Sequence, residues 1–102
     1  MLYQGWTNYE TWTVSLWLCN EEPLYRETRA MAKKVHGKYR QLALATSLKA
    51  LVVNSAPNLG ATMYADLLDH AIYQANYEEI AENLLVEVAE DGTIVEDNED
   101  LP

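Results

Sequence analysis

Apolar and polar residues along this 102-residue chain recur mostly with a helical period. Tyr9, Trp12, Thr13, Leu16 and Trp17 fall at i, i+3, i+4, i+7 and i+8, which puts them on one face of a helix. The same stretch also reads as a strand, because Trp12, Val14, Leu16 and Leu18 alternate with Thr11, Thr13, Ser15 and Trp17. Thr7-Asn8-Tyr9-Glu10 decides for the helix. It has capping-box spacing, in which the Thr7 hydroxyl accepts from the Glu10 amide while the Glu10 carboxylate reaches back.

Asn20-Glu21-Glu22-Pro23 reads as a stop and a restart, since Pro suits the first helical position and the acidic pair suits a helix N-terminus. The second helix carries an inner stripe of Leu24, Thr28, Met31, Val35, Tyr39 and Leu42, and Gly37 is where it bends or ends. Ala43 to Val53 continues with helix formers and apolar positions at Leu44, Leu48, Leu51 and Val52. Ser47 either caps a new helix there or sits inside a long one. Asn54 to Asn58 is a loop of small polar residues and Pro.

Beyond the loop, Met63, Tyr64, Leu67, Leu68, Ala71 and Ile72 form the wide apolar face of a further helix, and His70 joins its polar face. Asn76-Tyr77-Glu78-Glu79 then caps a last helix carrying Ile80, Ala81, Leu84 and Leu85. Val86-Glu87-Val88 and Thr93-Ile94-Val95 flank an Asp-Gly turn signal and allow a hairpin. The predicted fold is therefore mainly α, a compact bundle of four to five short helices. Residues 1–86 make one helical domain, and residues 87–102 an acidic extension that either starts with this hairpin or does not, and ends without order of its own.

Charge adds a second pattern. The net charge is −9, yet all seven basic residues lie between Arg26 and Lys49, so that segment carries +6 and the remainder −15. Arg26, Arg29, Lys33 and Arg40 fall near one helix face. They form either a docking stripe for an acidic or phosphate-bearing partner, or an ordinary solvated face paired with the protein's own acids. Asp97, Glu99 and Asp100 belong to a tail whose carboxylates either mimic phosphates or keep the chain soluble. The acidic balance disfavours wrapping nucleic acid by net attraction. No apolar run approaches the roughly 20 residues of a membrane span, and Met1 to Gln4 does not open a signal peptide, so no membrane role and a cytoplasmic location are expected.

Candidate chemistry is sparse. Cys19 has no partner for a disulfide and reads as a small buried hydrophobe. His36 and His70 stand on other segments, without metal-ligand or nucleophile-base spacing, and no Glu-x-x-His pair or Gly-rich phosphate loop occurs. No catalytic residue, metal or cofactor is expected, and the protein is not expected to be an enzyme. The seven Tyr and three Trp, with no Phe, suit core edges and interfaces. Trp12 and Trp17 are expected in the core. Trp6 either staples the first helix or joins Tyr3 and Tyr9 in an exposed aromatic anchor.

The segment Gly5-Trp6-Thr7-Asn8-Tyr9-Glu10-Thr11-Trp12, followed by Leu16-Trp17 and by Glu21 to Arg26, resembles a family of small proteins carried by phages, plasmids and some bacterial genomes. The resemblance covers residues 5–36 and 58–86 and resumes at Tyr64-Ala65-Asp66-Leu67-Leu68 and at Tyr77 to Leu85. It implies a genetic setting rather than an activity. In that setting a small acidic protein is expected to bind a host protein stoichiometrically, for instance as an inhibitor of a restriction or CRISPR complex. The alternative is a small nucleic-acid-binding regulator using the basic face of residues 26–49. A homodimer that covers an aromatic face is a further expectation.

Overall fold

The computed structural model describes residues 2–90, in which five helices succeed one another: α1 (Tyr9–Asn20), α2 (Glu22–Lys34), α3 (Arg40–Ser55), α4 (Met63–Gln74) and α5 (Tyr77–Glu90). The helical fold class read from periodicity is the one observed. The most extensive pairing is α3 against α5, followed by α2 against both α1 and α5, while α4 packs chiefly on α1.

Leu44, Leu48, Ile80, Leu84 and Val88 are completely enclosed between α3 and α5 and their neighbours. Small residues on the facing helices, Ala32, Ala45 and Ala81, let the backbones approach, and Leu18 and Ile72 close the cluster. Tyr77 is the one ring buried to this degree among the described residues. Its hydroxyl donates to the Ile72 carbonyl at 2.9 Å, which ties the start of α5 to the end of α4.

The break between α1 and α2 falls where Pro23 places it, with Glu21 in extended conformation serving both helices. α2 then ends at Lys34. Gly37, at φ 93°, turns the chain into α3. The inner stripe drawn through Tyr39 and Leu42 does not survive this turn, and both are exposed. Residues 40 to 55 form a single helix with Ser47 inside it, and Leu44 and Leu48 are enclosed as the sequence indicates.

Two boundaries need correction. The α1 cap is Asn8 rather than Thr7: the Asn8 Oδ1 accepts from the Thr11 amide at 2.9 Å, one residue later than the capping box proposes. Helix α5 runs unbroken through Val86-Glu87-Val88 to Glu90, so the first arm of the hairpin is helical. Val88 explains why, since it is an enclosed core residue one helical turn after Leu84. Thr93-Ile94-Val95, Asp97, Glu99 and Asp100 lie outside the described residues.

Candidate functional site: an apolar cleft beside a structural latch

The N-terminal motif divides into a part that holds the fold and a part that faces outward. Asn8 and Thr11 belong to the first. Asn8 Nδ2 donates to the Gln74 carbonyl at 2.8 Å, and the enclosed Thr11 hydroxyl donates to Asn8 Oδ1 while accepting from the Asn76 amide at 2.8 Å. Glu79 Oε1 accepts from the Thr7 amide at 3.1 Å, and Asn76 Oδ1 caps α5 through the Glu79 amide at 3.1 Å. These contacts form a polar latch between the start of α1 and the α4–α5 turn, and they satisfy backbone donors that both helix ends would otherwise leave unpaired.

Ahead of the latch, Tyr3 and Trp6 exchange two backbone hydrogen bonds of 2.7 Å across Gln4 and Gly5, which both have positive φ (50° and 86°). That is the turn geometry in which glycine at the second central position relieves strain. The turn separates the proposed aromatic anchor. Trp6 is drawn against the core, whereas Tyr3 stacks edge-on with Tyr9 at 5.2 Å and lies 5.2 Å from Trp12. The rings in contact are therefore Tyr3, Tyr9 and Trp12, and Trp6 packs apart from them.

The face of α1 expected in the core is turned away from it by about half a turn. Thr11, Ser15 and Leu18 are the buried positions, at i, i+4 and i+7, so small polar side chains make the close contact. Trp17 is 61% exposed, Tyr9 and Leu16 are also exposed, and Trp12 is half-buried. On α4 the wide apolar face is likewise only partly used: Ile72 is buried, but Met63, Tyr64 and Leu67 are all more than 60% exposed.

Between these two helices lies an apolar cleft of about 330 Å³. Tyr9, Glu10, Thr13, Val14 and Trp17 of α1 form one wall, and Leu68, Ala71 and Ile72 of α4 the other. Leu24 of α2 and Leu51, Val52 and Pro57 around the end of α3 close its floor and ends. The Thr13 hydroxyl, on the first wall, is buried without a hydrogen-bond partner. Among the described residues Glu10 is the one charged side chain lining the cleft, and no Lys, Arg or His does.

The basic stripe is more engaged than a free docking face. Arg26 pairs with Glu22 at 2.9 Å on the same helix. Arg29 turns inward, lies over the Tyr25 ring at 5.2 Å and reaches Glu87 of α5 at 3.5 Å. Arg40 donates to the Gly37 carbonyl at 3.0 Å, while Lys33 is exposed. Arg26 and Arg29 thus follow the reading in which the stripe is paired with the protein's own acids.

Cys19 is half-buried rather than enclosed. Burial pushes its thiol above the ordinary value, the Glu87 carboxylate adds to the shift, and a hydrogen bond with Ser15 and the charge of Arg29 oppose it. Such a thiol stays protonated at neutral pH and is a poor nucleophile. His36, in the connection between α2 and α3, and His70, on α4, are both exposed. Among the described residues no three His, Cys, Asp or Glu side chains are grouped to hold a metal ion, and no helix is long and apolar enough to cross a membrane.

Sequence periodicity missed the cleft because each of its walls looks like an ordinary inner stripe. One signal was available: six bulky apolar positions on the short helix α4 are more than a single neighbouring helix can cover. The model of a family of unknown function, DUF7249, matches residues 1–97, and the chain belongs to that family. No curated protein and no solved structure matches it.

Proposed function

We propose that the protein is a non-enzymatic protein-binding module of phage or mobile-element origin, one that acts stoichiometrically by occupying a host protein in the cytoplasm. The apolar cleft between α1 and α4 is the observation that supports protein binding. Trp17, which lines it, and Tyr64 and Leu67 on the same helix α4 as its second wall are all more than 60% exposed on a chain this small. Apolar patches that a monomer leaves uncovered mark interaction sites, and Trp and Tyr dominate the energetics of interfaces. The origin and the kind of host target, a restriction or CRISPR complex among them, rest on the resemblance of the Gly5 to Trp12 segment and on the small acidic character of the chain.

Affinity capture from bacterial host lysate tests this reading. The wild-type chain is expected to retain a defined partner that Trp17→Ala loses and that the Arg26→Ala/Lys33→Ala variant keeps. Retention of nothing at low salt, or loss of the partner only with the basic-face variant, would overturn it. In the second case the competing regulator reading, with its steep salt dependence, takes its place.

A further inference from the structure

Resting on the protein-binding reading, we infer that the α1–α4 cleft receives one amphipathic helix of a partner, with apolar residues on its inner face and Lys or Arg along its flanks. Three observations select this occupant.

The first is the shape of the apolar strip. Tyr64, Leu68, Ala71 and Ile72 fall at i, i+4, i+7 and i+8 on α4, and the strip continues past the cleft to the exposed Tyr64. It spans nine residues, about 12 Å of helix axis. Helix-in-groove partners present anchors at i, i+3 or i+4, and i+7 over about that length. A small molecule confined to the cleft would leave Tyr64 uncovered.

The second is the backbone. Both long walls of the cleft are helices whose amides and carbonyls are committed along their own axes. They offer no strand edge for an extended peptide to pair with, so recognition falls to side chains entering the cleft.

The third is charge. Glu10 lines the cleft, and in sequence the exposed Glu21 stands three residues before Leu24 and the exposed Asp69 follows Leu68, whereas Glu22 is already paired with Arg26. Among the described residues no cation lines the cleft. Complementary potentials across an interface steer encounter and reject wrong partners, so cationic flanks fit this rim. A second copy of the chain fits it poorly, because a two-fold pairing of this face sets the same carboxylates against one another.

The test uses the full chain and three labelled peptides of equal length. Two share Leu anchors at helical spacing, one with a Lys polar face and one with a Glu polar face; the third has the Lys composition with the anchor spacing scrambled. Binding is read by fluorescence anisotropy. The helical Lys peptide is expected to bind at least about tenfold more tightly than either other peptide. Trp17→Ala should weaken it about tenfold or more, as for an aromatic hot spot, and Glu10→Gln should weaken it about threefold. Circular dichroism confirms that both variants remain folded.

Equal binding of the scrambled peptide would overturn the inference, since attraction to acidic residues anywhere on the chain then suffices. Preference for the Glu peptide with full sensitivity to Trp17→Ala would overturn the charge selection while leaving the cleft as a protein site. Failure of every peptide would overturn the helix occupant, and the lysate capture then decides separately whether the chain binds proteins at all. Sedimentation that finds a dimer dissociated by Trp17→Ala would replace the partner helix with a second copy.

Discussion

Replacing Thr11 with Val probes the latch at its centre. The substitution nearly preserves side-chain shape, so the completely enclosed site stays filled, but it removes the hydroxyl that donates to Asn8 and accepts from the Asn76 amide at 2.8 Å. Asn8 Oδ1 keeps the Thr11 amide as a donor, whereas the Asn76 amide loses its partner. A partly buried donor left unpaired costs about 1 to 3 kcal/mol, so Thr11→Val is expected to destabilise the protein by about 2 kcal/mol. For a domain of this size that lowers the melting temperature by roughly 10 °C.

Urea titration followed by circular dichroism measures the change directly. Thr7→Val is the matched control. Among the described residues the Thr7 hydroxyl makes no hydrogen bond and only its backbone amide is used, so the effect should stay within about 0.5 kcal/mol. A Thr7 cap would instead cost about 1 kcal/mol on removal. A loss below about 0.5 kcal/mol for Thr11→Val, or a larger loss for Thr7→Val than for Thr11→Val, would refute the latch.

Three further outcomes follow from the packing. Leu84→Ala, in the enclosed α3–α5 core, is expected to cost about 2 to 5 kcal/mol in the same urea titration, whereas Trp17→Ala, at a 61% exposed position, should cost less than about 1 kcal/mol. Thr13→Val removes a buried hydroxyl that has no partner and should raise stability by about 1 kcal/mol; a loss of that size would place an unseen hydrogen bond there. Burial raises the Tyr77 hydroxyl above its ordinary pKa. The unfolded chain therefore deprotonates first, and the Tyr77 contribution is intact below about pH 10 and declines as pH rises through the folded pKa. Urea titrations from pH 8 to 11 should show a smaller decline in Tyr77→Phe than in the wild type.

Much of the helical plan was legible in residues with local consequences. Pro23 set the break after α1, Asn76 capped α5, and Leu44, Leu48, Ile80 and Leu84 lie in the core at the helical spacing that marked them. The orientation of α1 was not legible in the same way. Its bulky residues suggest an inner face of Trp and Tyr, but the helix docks through Thr11, Ser15 and Leu18 because the latch partners lie 65 or more residues away. Hydrophobic periodicity does not carry contacts of that kind.

The Val86-Glu87-Val88 segment failed for a related reason. Its alternation satisfied a strand pattern, but Val88 completes a helical stripe whose burial depends on α3. The cleft was hidden too, since a stripe that leads into a core and a stripe that lines an open groove have the same period. The exposure of Met63, Tyr64 and Leu67 distinguishes them, and it depends on how little of the fold packs against α4.

The central claim is that the α1–α4 cleft, rather than the basic stripe, is where the protein meets its partner. Amide chemical-shift mapping of the labelled full chain, titrated with the partner recovered from lysate, tests it across the whole surface at once. The account predicts the largest shifts on the outer face of α1 around Glu10, Thr13 and Trp17, at Leu51 and Val52, and along α4 from Tyr64 to Ile72. Shifts concentrated at Arg26, Lys33 and their neighbours, with the cleft unchanged, would contradict it.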